Sequence, residues 1–317
     1  MKIAFFSEAG YQGKVSRDNP NMRTDVAWVC ALDATHHPIV KLRSLPDNLY
    51  DVGVMILPKN RKPLLDWFPN SVLEEYRRVC KKVTIMQESY YNYWQDSPIA
   101  EQIWYFNFIT EMDLIFCHND VDLKYYNGLT NVRTELLPSV MITDDVVRRS
   151  EWGNGVIIGG NWVWAYGGFD SYQVALELSE SDINEDIVAV TTGRMLESER
   201  HYLKHLPWMM WSEWIKTLSQ FNVGIQLGTA SAGTFNLNCS FHGIPCIGYD
   251  QVNPQKDLHP QTTIVEGDLN KGIELAIRLK GDVAFYEQCS RETRRLFEQK
   301  YSEKVFVQKT MEILESL

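Results

Sequence analysis

Short apolar runs alternate with helical segments along almost the whole chain, and this alternation is the feature that most limits its fold. The runs KIAFFS, DVGVMILP, VTIMQES and DLIFCHN occur in the first half, and GVIIGG, DIVAVTTG, VGIQLG and IPCIGY occur after residue 154. Almost every position of DVGVMILP is apolar, which is typical of a strand that is covered on both faces. Repeated strand–helix units therefore predict parallel sheets with helices on both faces.

The pattern restarts after the polar stretch TDDVVRRSEWGNG, so two α/β domains are expected. We predict a first Rossmann-like domain over residues 1–145, and a second over residues 146–317 that ends in helices. In such sheets the loops at the carboxyl ends of the strands bind ligands. A ligand is therefore expected in a deep cleft between the two domains.

Composition narrows the class of protein. The formal net charge of −10 gives no general basic surface for nucleic acid. No stretch approaches the length of a membrane-spanning helix, so no membrane insertion is expected. Six cysteines are scattered without a CxxC pair, mostly inside apolar runs, which is typical of reduced core cysteines and favours the cytoplasm.

Three loops of the second half carry small residues directly after a strand. Gly160 and Asn161 follow the first strand, Arg194 follows the next, and the third loop leads from Gly228 into a helix. Free N–H groups at the start of a helix bind phosphate, and Arg194 would add a charge-assisted contact. None of these loops matches GxGxxG or a Walker loop, which argues against a dinucleotide or ATP. Within the third loop the candidate phosphate-binding residues are Gly228, Thr229, Ser231, Ala232, Gly233 and Thr234.

The run LPWMMWSEWIKTLSQFNVGIQLGTASAGTFNLNCSFHGIPCIG resembles the C-terminal domain of GT-B glycosyltransferases. In that superfamily a Leu-Pro loop contacts the nucleotide base, and a loop of small residues then receives the donor diphosphate. The resemblance implies that Leu206 and Pro207 contact the base. It also implies a GT-B fold over the whole chain and transfer of a hexose or pentose from a nucleotide diphosphosugar. A UDP-sugar is the favoured co-substrate, and no other cofactor is expected.

The sequence departs from the common retaining pattern of this superfamily, in which two glutamates lie eight positions apart. Ala230 and Asn238 occupy those positions. Asn238 can still hydrogen-bond a ribose or sugar hydroxyl, but it carries no charge. The stereochemistry of transfer therefore stays open between inversion and retention.

Two metal-like patterns are discounted, and no metal is expected. Asp120 and Asp122 spell the DxD of metal-dependent enzymes, but Asp120 occupies a position where a helix cap is expected. His201 and His205 lie four positions apart without a third ligand nearby.

The first half is expected to bind the acceptor. Its first loop is long and polar, and Asp18 is preferred there as general base over Asp25, which can serve the first turn of a helix. Glu88 and His118 follow later strands and are further catalytic candidates, although a lone His is more often structural. An aromatic cluster near residue 90 either stacks on a sugar or base or packs in the core. The candidate acceptor-binding residues are Glu8, Arg17, Arg23, Tyr90, Tyr91 and Trp94.

The N-terminal segment is also similar to phage-encoded glycosyltransferases that modify DNA. Together with the basic segment between Lys59 and Lys82, this similarity favours a 5-hydroxymethylpyrimidine of duplex phage DNA as acceptor, in the host cytoplasm. The acidic total charge instead fits a saccharide or envelope glycan as acceptor. The fold also allows a sugar-nucleotide epimerase or a catalytically degenerate nucleotide-binding module.

Overall fold

The computed structural model describes residues 1–8, 11–58, 72–87, 90–160, 166–179, 187–190, 202–229 and 231–317. The chain forms two compact units. Unit 1 comprises Met1–Asn19, Thr24–Pro138 and Phe306–Leu317, and unit 2 comprises Pro20–Arg23 and Ser139–Val305. The domain boundary between residues 145 and 146 stays a prediction.

Unit 1 contains a six-stranded sheet in its described part, and all of its strand pairs are parallel. The strands are β1 (Ile3–Ser7), β2 (Thr35–Pro38), β3 (Tyr50–Leu57), β4 (Cys80–Gln87), β5 (Leu114–Cys117) and β6 (Thr134–Leu136). Their order is β2-β1-β3-β4-β5-β6, so the chain reverses direction across the sheet between β1 and β3. The first of the two predicted parallel sheets is therefore confirmed.

The described α-helices of unit 1 are α1 (Thr24–Ala31), α2 (Val72–Val79), α3 (Ile99–Thr110) and α4 (Asp120–Leu129). Two short 3-10 helices, Ile39–Ser44 and Tyr91–Trp94, connect strands and helices. The core includes residues from the central strands, such as Phe6, Met55 and Ile85, with Tyr76 of α2. Tyr76 donates from its buried hydroxyl to the carbonyl of Thr84 at 2.8 Å, which satisfies its polar end.

Unit 2 contains a second parallel six-stranded sheet in its described part. Its strands are β7 (Val156–Ile158), β8 (Ile187–Val190), β9 (Lys204–Leu206), β10 (Val223–Gln226), β11 (Cys246–Tyr249) and β12 (Thr263–Ile264). The order β12-β11-β10-β7-β8-β9 is that of nucleotide-binding Rossmann folds. The predicted second α/β unit is therefore confirmed.

The described α-helices of unit 2 are α5 (Gly168–Leu176), α6 (Trp211–Leu218), α7 (Thr234–His242), α8 (Asn253–Leu258), α9 (Leu269–Gly281) and α10 (Val283–Leu296). A π-helix, Phe297–Tyr301, follows α10, and α11 (Glu303–Glu315) is the last helix of the chain. Asp268 and Asp282 cap α9 and α10 by accepting from backbone N–H groups three residues later.

All six cysteines are buried, as expected for core cysteines. Among the described helices, none has both the length and the hydropathy needed to cross a membrane.

Candidate functional site

The sheet of unit 2 changes direction between two neighbouring strands, β7 and β10. From β7 the chain continues to β8 and β9 on one side, and it returns through β10 to β11 and β12 on the other. The loops after β7 and β10 therefore leave the sheet in opposite directions, and ligands of open parallel sheets bind in the crevice between such loops. Both loops were predicted from sequence to bind the donor, and the strand order makes them neighbours.

The loop after β7 approaches β10 closely at two glycines. Gly159 donates its N–H to the carbonyl of Ile225 at 2.8 Å, and a Cβ added to it would overlap the ring of Phe235. Gly160 has φ +79°, a backbone conformation that favours glycine. The predicted donor residue Gly160 thus lies in a turn where the backbone can come near a ligand.

The loop after β10 is held in shape by a serine and a glycine. Gly228 is buried and Thr229 half-buried, and Ser231 accepts from the N–H of Gly233 at 3.0 Å. Gly233 has φ +69°, and a Cβ added there would overlap the ring of Pro254. A larger residue at position 233 would therefore displace the start of α7.

Helix α7 begins without a side-chain cap among the described residues. Its N-cap is Gly233, which has no side chain, and no other described side chain accepts from its first-turn N–H groups. Ser139 fixes this turn from outside the helix, because its hydroxyl donates to the Ala232 carbonyl at 3.2 Å and lies 3.1 Å from Oγ1 of Thr234. Uncapped N–H groups and the positive end of the helix dipole are suited to bind a phosphate.

Asn238 has protein partners for both ends of its amide. In the orientation that satisfies its hydrogen bonds, its oxygen accepts from Nε1 of Trp214 at 2.9 Å and its nitrogen donates to the Thr234 carbonyl at 3.2 Å. The residue is 2% exposed. These contacts hold α7 against α6, so the amide is already engaged within unit 2.

The loop after β9 contains the residues predicted to contact the base. Leu206 is half-buried and Pro207 is exposed, and the Trp208 side chain that follows is 55% exposed. Arg23 packs on this loop: its guanidinium donates to the Met209 carbonyl at 2.6 Å and lies 5.3 Å from the centre of the Trp208 ring. Arg23, predicted from sequence to bind the acceptor, therefore contacts the loop after β9.

Gln226, the last residue of β10, is a polar residue of this region that sequence reasoning missed. It is 2% exposed, and its Oε1 has no hydrogen-bond partner in the described part of the chain. Its Nε2 would lie 2.6 Å from a Cβ added to Gly160, so the amide reaches the loop after β7. The signal in the sequence was a single glutamine at the end of the apolar run VGIQL.

Several predicted residues lie outside the described ranges. They are the donor candidates Asn161 and Arg194, the base candidate Glu88, and Ala230 and His201.

Three predicted polar residues of the first loop, Glu8, Arg17 and Asp18, are solvent-exposed. Asp18 lies in a turn closed by a hydrogen bond from the Asn19 N–H to the Ser16 carbonyl at 3.2 Å.

A hydrogen-bonded cluster of the buried Ser7 and His36 with the partly buried Asp25, which the sequence did not predict, lies at the end of β1. The Ser7 hydroxyl lies 2.8 Å from Nε2 of His36 and donates to Oδ2 of Asp25 at 3.2 Å. Nδ1 of His36 lies 2.6 Å from the Tyr11 carbonyl. The other oxygen of Asp25 accepts from the Val26 N–H at 3.0 Å. Asp25 thus serves its own helix, as its position suggests, and also contacts a hydroxyl–imidazole pair.

His118 follows β5, as predicted, and is held as a neutral ring. Its ring stacks on Trp28 with centroids 5.9 Å apart, and Nδ1 is buried without a described partner. Burial lowers the pKa of His118 to about 4, against an opposing hydrogen bond to the Gln87 backbone. At neutral pH the ring therefore carries a lone pair rather than a charge.

The aromatic cluster packs mainly within unit 1. The Trp94 ring is 3% exposed, stacks on Tyr105 at 3.5 Å and donates from Nε1 to Oε1 of Gln87 at 2.6 Å. Tyr91 stacks on Tyr125 at 4.1 Å, and Tyr90 is half-buried. For Tyr91 and Trp94 the described contacts support packing in the core.

The discounted DxD pattern begins a helix, but the cap differs from the expected one. Asn119, not Asp120, is the N-cap of α4, and its side chain accepts from the Asp122 N–H at 2.9 Å. The prediction was one residue late because Asn caps as well as Asp. Asp122 is buried and accepts from the Tyr91 N–H at 3.1 Å. No cluster of three or more potential metal ligands occurs among the described residues.

The basic residues between positions 72 and 82 are paired with carboxylates. The N–O distances of these pairs run from 2.6 to 3.5 Å. The pairs are Arg77–Glu111, Arg78–Asp47, Lys81–Asp51 and Lys82–Asp113.

No protein-family model matches the chain, and no curated protein matches its sequence. Solved structures match its fold. Sucrose-phosphate synthase from Thermosynechococcus elongatus has a TM-score of 0.70 at 10% identity, over 100% of this chain and 99% of that one. HepE of Anabaena, in complex with UDP and glucose, has a TM-score of 0.68 at 12% identity over the whole of both chains.

TarM of S. aureus, in complex with fondaparinux, α-GlcNAc-glycerol and UDP, has a TM-score of 0.63 at 9% identity. The match covers 83% of this chain and 55% of TarM, so this chain spans about half the length of that protein. At these identities the similarity concerns the fold alone. The two parallel six-stranded sheets with their helices are those of the GT-B fold, as the sequence resemblance implied.

Proposed function

We propose that this protein is a glycosyltransferase that moves a sugar from a UDP-sugar to an acceptor hydroxyl, with unit 2 as the donor-binding unit. One observation carries the proposal. The two glycine-containing loops after β7 and β10 flank the point where the strand order reverses, and the second loop leads into the uncapped start of α7. Structures of the same fold are solved with UDP, and HepE with UDP-glucose.

The chemistry assigned to this loop is stabilisation of the leaving group. When the bond between the sugar and UDP breaks, negative charge develops on the diphosphate. Fixed N–H donors at the start of α7 stabilise that charge without reorganisation during the reaction. The residues assigned to this role are Gly228, Thr229, Ser231, Ala232, Gly233 and Thr234, with Gly160, Asn161 and Arg194 from the other two loops.

The nucleotide base of the donor is assigned to the loop after β9, where Leu206 and Pro207 lie. Trp208 exposes about half of its side chain, and Arg23 is near its ring. A ring held by a cation on one side can stack a base on the other. We therefore assign Arg23 to binding of the nucleotide instead of the acceptor.

For the acceptor, unit 1 offers the cluster at the end of β1. If transfer inverts, a general base such as a carboxylate or a neutral imidazole takes the proton of the acceptor hydroxyl. Asp25 is the better base than Asp18, because Ser7 and the helix N–H of Val26 fix its carboxylate whereas Asp18 is exposed. Glu88 and neutral His118 stay further candidates, His118 as a hydrogen-bond acceptor.

A saccharide hydroxyl is the acceptor that we favour over DNA. The described lysines and arginines between positions 72 and 82 are paired with carboxylates, and Trp94 is in the core, which weakens two of the arguments for DNA. The other basic residues of that segment, Lys59, Arg61 and Lys62, lie outside the described residues. Filter binding of hydroxymethylated duplex DNA against salt tests DNA as the acceptor. If the DNA stays on the filter with the protein at low salt, and the sugar is then transferred to the hydroxymethylated base, DNA is the acceptor.

A thermal-shift screen tests the donor assignment. We expect UDP and UDP-sugars to raise the melting temperature with ligand concentration, while ATP and NAD do not. A chain that responds to no nucleotide would contradict the proposal. Incubation of a UDP-sugar without acceptor distinguishes a transferase from an epimerase, because an epimerase would form the epimer. Binding without turnover on any acceptor would identify a degenerate module.

A further inference from the structure

We infer that Gln226 accepts a hydrogen bond from a hydroxyl of the donor sugar and so helps to select the sugar that is transferred. The inference rests on the proposed function, since it concerns the same donor site. Gln226 ends β10, pairs with Gly248 of β11 and reaches the loop after β7 at Gly160. It therefore lies at the point where the strand order reverses.

The oxygen of this amide requires a partner. Oε1 of Gln226 is buried and has none among the described residues, and an unsatisfied buried acceptor costs about 1–3 kcal/mol. Gln255, a buried glutamine of the same unit, shows the usual case. Its Oε1 accepts from Asn236 at 2.8 Å, and its Nε2 donates to the Cys246 carbonyl at 2.8 Å.

The chemistry of the donor identifies the group that fits. A carboxamide oxygen only accepts, and the ionised oxygens of a diphosphate also only accept, so the partner must be an O–H or N–H group of the ligand. The N–H of the base is excluded by distance. The loop assigned to the base follows β9, three strands from β10, and three strand spacings amount to about 14 Å. The remaining donors are hydroxyls, those of the ribose on the base side of the diphosphate and those of the transferred sugar on its other side. We assign the contact to the transferred sugar, and an equal loss of affinity for UDP in the test below would place it at the ribose instead.

The glutamates that bind the sugar in related retaining enzymes are absent here, which leaves this role unfilled. Position 230 is alanine, and Asn238 is committed to Trp214 and Thr234. Gln226 supplies a neutral acceptor from the strand instead of a charged one from the helix. Gly160 contributes by lacking a side chain, since a Cβ there would lie 2.6 Å from Nε2 of Gln226.

The test compares the affinities of UDP and of UDP-glucose, UDP-galactose and UDP-xylose for the wild type and for Gln226→Met, measured by isothermal titration. Met keeps the length of the side chain and removes the acceptor. We expect the affinity for the preferred UDP-sugar to fall about 3- to 10-fold, the effect of one neutral hydrogen bond, while that for UDP stays within about twofold.

Gln255→Met is the matched control. It removes a satisfied buried amide, so it should lower the melting temperature of the free protein without changing the ratio of UDP-sugar to UDP affinity. Gln226→Met should lower the melting temperature much less, because the Gln226 oxygen has no partner among the described residues to lose. Gln226→Leu repeats the test if the Met variant is poorly folded.

Three results would overturn the inference. An equal loss of affinity for UDP and for the UDP-sugar would place Gln226 at the nucleotide. Unchanged affinity for both would mean that Gln226 has only a structural role. A wild-type protein that binds UDP no more weakly than every UDP-sugar would show that the sugar makes no net favourable contact. Failure to bind UDP at all would instead contradict the proposed function.

Discussion

Gly167 lies directly against the carbonyl of Leu227, so closely that an added Cβ would overlap the carbonyl oxygen. Gly167 precedes α5 and has φ +62°, and Leu227 is the first residue after β10. The N–H of Leu227 in turn donates to the hydroxyl of Ser171 in α5 at 2.9 Å. The start of α5 and the start of the loop after β10 therefore pack directly against each other.

Replacement of Gly167 by alanine should deform the donor site. The left-handed backbone and the overlap with Leu227 together predict a loss of roughly 2–4 kcal/mol in unfolding free energy, together with weaker UDP binding. Urea unfolding and titration with UDP measure both effects.

Gly128→Ala is the control for this substitution. Gly128 lies in the last turn of α4, and the methyl group of an alanine there would meet open space, so the substitution should be neutral or stabilise by about 0.5–1 kcal/mol. Equal losses at positions 167 and 128 would contradict the close packing of Gly167.

The main strands and helices were predictable because their apolar runs are long. β2 (THHP), β6 (TEL), β9 (KHL) and β12 (TI) were not predicted because they are too short to give a run of apolar residues. These four strands are the edges of the two sheets, so the strand orders could not be read from the sequence.

The candidate site was predictable in part. The glycine loops after β7 and β10 follow from glycine and serine in a strand–loop–helix pattern. The hydrogen-bond partners of polar residues do not follow from the sequence pattern. Hydrogen bonds such as Asn238 to Trp214 or Ser7 to His36 join positions 24 and 29 residues apart. For the same reason, that the Gln226 oxygen has no partner among the described residues is visible only in three dimensions.

Asp122→Asn should stabilise unit 1 above pH 6. Burial raises the pKa of Asp122 to about 6, although hydrogen bonds from Tyr91 and Asn119 oppose the shift. The folded state therefore binds the proton more tightly than the unfolded state, whose carboxyl has a pKa near 3.8. The stability that this provides is fully present below pH 3.8 and is lost as pH rises through 6.

Asn cannot ionise, and it can still accept from the Tyr91 N–H. The variant should gain on the order of 1–3 kcal/mol at pH 8 and less at pH 4.5, as measured by urea unfolding at both values. A gain that does not depend on pH would contradict the titration of Asp122.

The buried His242 and His259 and the partly buried His118 should make the protein acid-sensitive. Burial is the largest cause that lowers the pKa of His118, His242 and His259 to about 4. The unfolded state, with ordinary values near 6.5, binds more protons between these limits, so stability should be full above pH 6.5 and should fall as pH decreases to 4.

The expected loss is on the order of 1–3 kcal/mol for each histidine, opposite in sign to the effect of Asp122. Unfolding free energies measured every half pH unit would reveal it. A flat profile between pH 6.5 and 4 would show that these rings are hydrated in the native state.

Asp25→Asn and Asp18→Asn separate the two candidate bases. If Asp25 takes the acceptor proton, its amide variant should lose on the order of 100-fold in transfer rate, while Asp18→Asn changes the rate by less than about threefold. Glucose transfer from UDP-glucose to the best acceptor of a saccharide panel is the assay. A large loss for Asp18→Asn alone would restore Asp18 as the base.

A crystal structure of the protein with UDP would locate the donor site. We expect the diphosphate in the crevice between the loops after β7 and β10, with its oxygens accepting from N–H groups at the start of α7, and the nucleotide base at the loop after β9. A nucleotide bound elsewhere on unit 2, or a crystal saturated with UDP that shows none bound, would contradict this assignment.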